Sequence, residues 1–318
     1  MHHGKLSKTV AKGLLELKRR VEAANVPPSR LDESLNIATW NIREFGRRPR
    51  RAASLHYIAE ILGVFDLIAV VELRDDLSQL REVLGYLGPY WDVVFSDYLT
   101  DAGGNRERIG FVYDRRAVEF TGLASYAIPQ RKRTESDEYA SQISWWRPPY
   151  LTSWRSGSFD FILLAAHIRW GKSDAGREPE LRLLAEWVHT RTQEQYLGDK
   201  DLIVLGDFNI PAEHSPLFDA ITSRGLRMPE ALLGQPGSNL ARNKRYDQIL
   251  HDPRFVKSFS GHAGVLDFYC GDHRPLYPRM PMTKRQFTYE LSDHLPLWVQ
   301  INTDIEAERL DQLLARPL

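Results

Sequence analysis

Seven short apolar runs, each broken off abruptly by polar residues, constrain this chain more than any other feature. They are Leu35 to Trp40, Leu67 to Val71, Trp91 to Phe95, Ile109 to Tyr113, Phe159 to Ala166, Leu202 to Leu205 and Leu295 to Ile301. Runs this short, rich in β-branched and aromatic residues and with little alternation, predict strands buried on both faces. Helical spacing lies between some of them. One stretch covers Ala52 to Leu62. Another runs from Glu180 to about Tyr196, with Leu181, Leu184, Ala185 and Val188 on one face. A layered α/β body with two sheets accommodates this order. No Gly/Ser linker and no short-period repeat divides it.

The body spans residues 35–303, with an N-terminal helical extension over 1–34 and a short C-terminal helical tail over 304–318. In the extension Leu6, Val10, Leu14, Leu17 and Val21 recur at steps of three and four, and Val26-Pro27-Pro28-Ser29 ends the pattern. Lys5, Lys8, Lys12, Lys18, Arg19 and Arg20 occupy its other faces. Either the helix docks on the body or it is a basic arm for nucleic acid or a partner. Residues 129–157 and 252–290 read as long surface loops, which in compact domains are usually functional or disordered.

Composition closes some doors. The single cysteine, Cys270, rules out an intrachain disulfide, so nothing points to an oxidising compartment. No stretch approaches the roughly 18 apolar residues of a membrane span, and the N-terminus lacks a signal peptide's apolar core. The expectation is a soluble, cytoplasmic protein that does not engage membranes. Lys plus Arg and Asp plus Glu both total 42. With no net charge, only the placement of the charges can argue for nucleic acid.

The chemistry collects where the strands stop. The run from Leu35 ends in Asn41, that from Leu67 in Glu72, and that from Phe159 in His167. Leu202 to Gly206 ends in Asp207-Phe208-Asn209, and Asp293-His294 immediately precedes Leu295. A carboxylate at a buried strand end is costly unless it is paired or binds metal. Asn, Asp and Glu are hard oxygen donors and no cysteine cluster accompanies them, which suits Mg²⁺, Mn²⁺ or Ca²⁺. Such a metal beside histidine is a sensible outfit for phosphoester hydrolysis.

These segments resemble the endonuclease/exonuclease/phosphatase superfamily, which includes deoxyribonuclease I and the abasic-site endonucleases. The matching stretches are Thr39-Trp40-Asn41-Ile42, Val71-Glu72-Leu73-Arg74-Asp75, Ala166-His167, Gly206-Asp207-Phe208-Asn209, Tyr246-Asp247-Gln248-Ile249 and Ser292-Asp293-His294-Leu295-Pro296. Their order is the family's order. The resemblance implies an α/β fold, a four-layer αββα sandwich of two mixed β-sheets flanked by helices. It implies that Asn41, Glu72 and Asp293 surround a catalytic metal. Asp207 and Asn209 would support a second metal or orient the attacking water. His294 would be the base or transition-state stabiliser, with Asp247 orienting it. Gly103-Gly104-Asn105-Arg106-Glu107-Arg108 is similar to the deoxyribonuclease I branch, which would make Glu107 the support of a second catalytic histidine, His167. By the same resemblance Arg74, Arg147 and Arg108 are candidates for substrate binding.

The implied activity is metal-dependent phosphodiester hydrolysis, with DNA cut internally and little sequence preference. Basic clusters at Arg47, Arg48, Arg50 and Arg51, at Arg131-Lys132-Arg133, and at Arg242 to Arg245 would hold backbone phosphates. Trp145-Trp146 would either stack on bases or pack on the body. The same catalytic outfit serves phosphoinositide phosphatases and sphingomyelinases. A nucleic-acid-binding protein that has lost catalysis is a third reading. No protein partner is inferable.

Overall fold

The computed structural model describes residues 1–98, 106–133, 138–141, 144–171, 173–195 and 198–314. The helices are α1 (Lys8–Ala23), α2 (Ala52–Leu62), α3 (Ser78–Leu87), α4 (Glu178–Gln193), α5 (Pro216–Thr222), α6 (Lys284–Glu290) and α7 (Glu306–Leu314). The strands are β1 (Ser34–Phe45), β2 (Leu67–Leu73), β3 (Trp91–Phe95), β4 (Arg108–Asp114), β5 (Glu119–Tyr126), β6 (Lys132–Arg133), β7 (Tyr139–Ala140), β8 (Tyr150–Ser156), β9 (Phe159–His167), β10 (Leu202–Asp207), β11 (Asp247–His251), β12 (Phe259–Val265) and β13 (Leu297–Asn302).

One sheet runs β12-β13-β1-β2-β4-β3 and the other β11-β10-β9-β8-β5, with β6 and β7 forming a separate small ribbon. Each large sheet is mixed, with a single parallel pair, β1 with β2 in the first and β9 with β10 in the second. Each pair is joined by a helix-containing crossover, α2 in one case and α4 in the other. The sheets face each other, β1 and β2 against β10 and β11 against β13. Residues of these central strands, from Ile37, Trp40 and Val70 to Leu163, Leu205 and Ile249, are almost wholly withdrawn from water. This is the α/β sandwich of two mixed sheets flanked by helices.

The apolar runs all become strands, with the last shifted to Leu297–Asn302; β3, expected to be buried on both faces, is instead an edge strand with every side chain at least partly exposed. Strands without such runs were invisible to that criterion. β5 leaves most of its side chains in solvent, and β12 is an edge strand carrying two glycines. The two stretches expected as loops are therefore partly regular. Residues 129–157 contain β8, which pairs with both β5 and β9, and residues 252–290 contain β12 and α6. The helix expected from Glu180 to about Tyr196 begins two residues earlier, and Tyr196 lies outside the described residues, as do Gly103, Gly104 and Asn105.

α1 is docked. Leu14 and Leu17 are buried, and the Arg20 guanidinium donates to the carbonyls of Phe268, Tyr269 and Asp272. Lys18 pairs with Glu60 on α2 at 2.7 Å. These contacts fix two of the helix's cations to the protein itself.

Candidate active site

The two parallel pairs bring the polar strand ends together. In the second sheet His167 and Asp207 are register partners across β9 and β10, and Asp207 and Asp247 across β10 and β11. Gly206 makes that register possible. Its φ is +137°, and a Cβ there would lie 2.0 Å from the Ala166 carbonyl oxygen, so a side chain would drive β10 off β9 just before Asp207. In the first sheet Asn41 opposes Val71, which places Glu72 one residue beyond it. Glu72 itself has φ +63°, strained for a residue with a side chain, at the point where pairing of β2 shifts.

Asn41 joins the two sheets. Its amide nitrogen donates to Glu72 Oε1 at 2.9 Å and to Asp207 Oδ2 at 3.0 Å. Glu72 Oε2 also accepts from the backbone N–H of Glu44. Asp207 Oδ1 accepts from the backbone N–H of Asn209 at 2.9 Å. The Asn209 side chain in turn donates to the Ile168 carbonyl, and the Asn209 carbonyl accepts from buried Arg177. Ser292 donates to the Asn41 carbonyl and accepts from the His294 N–H, while Trp40 donates to the His294 carbonyl. The loop carrying His294 is thereby tied to β1 from both sides.

Two imidazoles converge on one oxygen. His167 Nε2 and His294 Nε2 each lie 3.7 Å from Asp207 Oδ2. Behind each ring stands a buried carboxylate. His167 Nδ1 is 2.9 Å from Glu107 Oε2, and His294 Nδ1 is 2.7 Å from Asp247 Oδ2. A carboxylate on Nδ1 fixes the tautomer and leaves Nε2 to face the site.

The surroundings of the two pairs differ. Burial works to raise the Glu107 pKa. The His167 bond and the charges of His167, Arg147 and Arg74 outweigh it and hold the carboxyl at about 2. For His167, burial and the Arg147 charge favour the neutral ring, yet Glu107 and Asp207 leave its pKa raised. Asp247 has no arginine beside it in the described contacts. Burial raises its pKa against the opposing pull of His294. Burial likewise opposes a charge on His294, but Asp247 and Asp207 together carry its pKa well above the ordinary value.

The arginines are placed less freely than the sequence implied. Arg74 is buried, and its guanidinium meets Glu107 at 3.0 Å and Glu44 at 3.5 Å. Arg147 reaches Glu107 at 2.7 Å and keeps a partly exposed edge. Arg108 donates to the Arg74 carbonyl and lies over the Tyr98 ring. In the basic clusters, Arg50 is buried against the carbonyls of Arg43 and Tyr289, Arg47 pairs with Glu44, Arg242 with Asp267, and Arg245 with Glu213. Arg48 and Lys244 stay exposed.

Arg43 was not singled out in the sequence. It lies two residues past Asn41 on the same strand, donates to Thr288, stacks on Tyr289 and meets Asp293 Oδ2 at 3.2 Å. The period-two rule for strands would have put it on the face of Asn41. Ser238, whose hydroxyl accepts from the Asp247 N–H, carried no comparable signal.

A cation fits this donor set. The Asn41 side-chain oxygen is buried without a hydrogen-bond partner, on an amide whose nitrogen bridges the carboxylates of Glu72 and Asp207. An orphaned buried acceptor beside two carboxylates suits a hard divalent ion. Asp207, Asp247 and His294 also bring ligand atoms within 4.8 Å of one another, a second way to hold a metal.

The model of the Endonuclease/Exonuclease/phosphatase family matches residues 38–294. The chain belongs to this family. Members are hydrolases of phosphoester bonds. A protein named deoxyribonuclease, from Thioalkalivibrio sp. (strain K90mix), is 30% identical over 255 residues, covering 76% of this chain and 64% of the relative. The chain thus spans somewhat less than two-thirds of that relative's length. Among solved structures, a family member from Bacteroides thetaiotaomicron superposes with a TM-score of 0.53 at 18% identity, covering 86% of this chain and 99% of its own. A mannosyl-6-phosphatase from the same organism gives 0.51 at 19% identity, covering 83% and 98%. Both likenesses concern the fold. No helix among the described residues is long and apolar enough to cross a membrane.

Proposed function

We propose that the protein is a divalent-metal-dependent phosphodiesterase that cuts DNA internally with little sequence preference. The observation that carries this reading is the convergence of two carboxylate-backed imidazoles on one Asp207 oxygen. Two opposed imidazoles provide a proton acceptor for the attacking water and a donor for the departing sugar oxygen. The 30% identity to a protein named deoxyribonuclease supports the same substrate class.

In this reading Asn41, Glu72 and Asp293 hold the metal, with Asp207 and Asn209 serving a second ion or orienting the water. Mg²⁺ is the first candidate, with Mn²⁺ or Ca²⁺ as alternatives. Such an ion would neutralise phosphate oxygens and stabilise the leaving oxyanion. The side chains do the rest. Asp207 Oδ2 lies between the rings and accepts a hydrogen bond from a water placed there. His294 Nε2 or His167 Nε2 takes that water's proton, and the other ring delivers one to the 3′-oxygen. Glu107 and Asp247 keep each ring's Nδ1 protonated, so that exchange occurs at Nε2. Arg74 and Arg147 hold Glu107 in place, and Arg147 and Arg108 have edges from which to meet a phosphate.

The test is a supercoiled plasmid incubated with the protein and Mg²⁺ or Mn²⁺, with EDTA as control and an RNA substrate in parallel. Nicking that EDTA stops and that His294→Ala and Asp207→Ala abolish is the expected result. Release of phosphate from sugar phosphates or lipids without nicking would overturn it. Wild-type activity in both variants would sink the site assignment.

A further inference from the structure

Two tryptophans beside the His167 pair are left in solvent. Trp170, three residues beyond His167, is 69% exposed, and Trp146, next to Arg147, is 46% exposed. Tryptophan is highly buried on average, and isolated exposed apolar residues need no account. These two are not isolated, because one buried carboxylate ties their segments together. Glu180, at the start of α4, pairs with Arg169 Nε at 3.1 Å. The same carboxylate faces the backbone N–H groups of Trp146 and Arg169. The Glu180 carbonyl accepts from the indole of Trp145, which is buried. Trp145 thus anchors the segment inward while Trp146 turns outward. The Arg169 guanidinium also donates to the Gly176 carbonyl, which fixes the residue before Trp170.

Arg147 and Arg74 meet Glu107, and Arg47, Arg242 and Arg245 are paired with carboxylates, while Arg48, Arg131 and Lys244 stay exposed. Duplex binding by phosphate contact depends on cations free to replace counterions along the backbone. Exposed indoles offer a different grip, stacking on the face of a base. That grip works for any base but needs bases that are not already stacked in a duplex.

We infer that Trp146 and Trp170, exposed on two segments that meet at Glu180, form a stacking surface that holds the unpaired bases of single-stranded nucleic acid across the His167 side of the active site. This rests on the phosphodiesterase reading and narrows its substrate class. Single strands, or frayed and looped regions, are the preferred substrates, and bases flanking the scissile phosphate carry part of the affinity.

The test compares two single strands of equal length and backbone, one with bases and one abasic throughout, with a matched duplex as third substrate. Full-length wild type should favour the base-bearing strand over the abasic one in kcat/KM. The advantage should collapse in Trp146→Ala/Trp170→Ala, mostly through KM, by about 5- to 150-fold for each base whose stacking is lost. Trp146→Phe/Trp170→Phe, which keeps two aromatic faces, should retain most of it. Because both side chains project into solvent, thermal melting should be near wild type in every variant, which checks folding. A preference that survives the double alanine variant, or a wild type that prefers the duplex, overturns the platform while leaving the nuclease reading intact. A wild type that cuts none of the three but releases phosphate from a monoester removes both, a pattern distinct from the first.

Discussion

Replacing Glu107 by glutamine probes stability and site together. The carboxylate is 7% exposed and is met by Arg74 at 3.0 Å, Arg147 at 2.7 Å and His167 at 2.9 Å. An ordinary value of 4.5 against about 2 in the fold corresponds to about 3 kcal/mol of stability at neutral pH. A depressed acid contributes stability that is present above the unfolded value and lost as pH falls through the folded one. The difference between wild type and Glu107→Gln should therefore be about 3 kcal/mol at pH 7, shrink to about 2 kcal/mol near pH 3.5, and vanish below about 2. Unfolding entropy of roughly 2.1 cal/mol/K per residue converts the neutral-pH figure to about 5 °C in Tm. Urea unfolding across that pH range, with chelator present so that bound metal does not contribute, measures it directly. A difference below about 1 kcal/mol at pH 7, or one independent of pH, would show that the arginines and His167 do not act on Glu107 as charges, and the argument for a rigid Glu107–His167 pair would fail with it.

Asp247→Asn removes the charge that burial and geometry set against His294, whose raised pKa then falls. If His294 must be neutral to accept a proton, the acid limb of the kcat profile should move to lower pH, and kcat at its plateau should drop by about 10²-fold or more. Asn41→Ala deletes the orphaned buried oxygen, so the Mg²⁺ or Mn²⁺ concentration for half-maximal activity should rise by at least about tenfold, read from a metal titration of plasmid nicking. Leu17→Ala in α1, wholly buried, should cost about 2–5 kcal/mol in urea unfolding, whereas a helix that merely brushes the surface would lose little.

For most strands, what was legible in the sequence depended on burial, with β3, a partly exposed edge strand that still read as an apolar run, and fully buried β11, which did not, as exceptions. β1, β2, β9 and β10 are enclosed on both faces, so their residues must be apolar throughout, and that requirement shows as continuous runs. β5 and β12 lie at sheet edges, where solvent relaxes the requirement and glycine is tolerated, so their composition carries little trace of the strand. The polar residues that interrupt the runs were legible for the opposite reason. At the end of an otherwise apolar strand a carboxylate or histidine stands out, and only pairing or a metal makes it affordable. Asn41, Glu72, His167 and Asp207 were singled out that way. Arg43 and Ser238 were not, because an arginine on a strand or a serine in a loop has many ordinary uses.

The asymmetry between the two histidines was beyond the sequence, since each reads there only as a carboxylate paired with an imidazole. In the fold, Glu107 shares its charge among His167, Arg74 and Arg147, while Asp247 spends most of its own on His294. An imidazole whose carboxylate is already satisfied by guanidinium groups gains less from it, so the two rings should part company on titration, with His294 the more basic. A pair of groups pushed apart in this way is what an acid and a base working on one phosphate require. Two of the arginines that the resemblance offered as substrate contacts here act on Glu107. Arg74 and Arg147 weaken the hold of Glu107 on the His167 proton, and the difference between the rings is set by residues that stand behind the site.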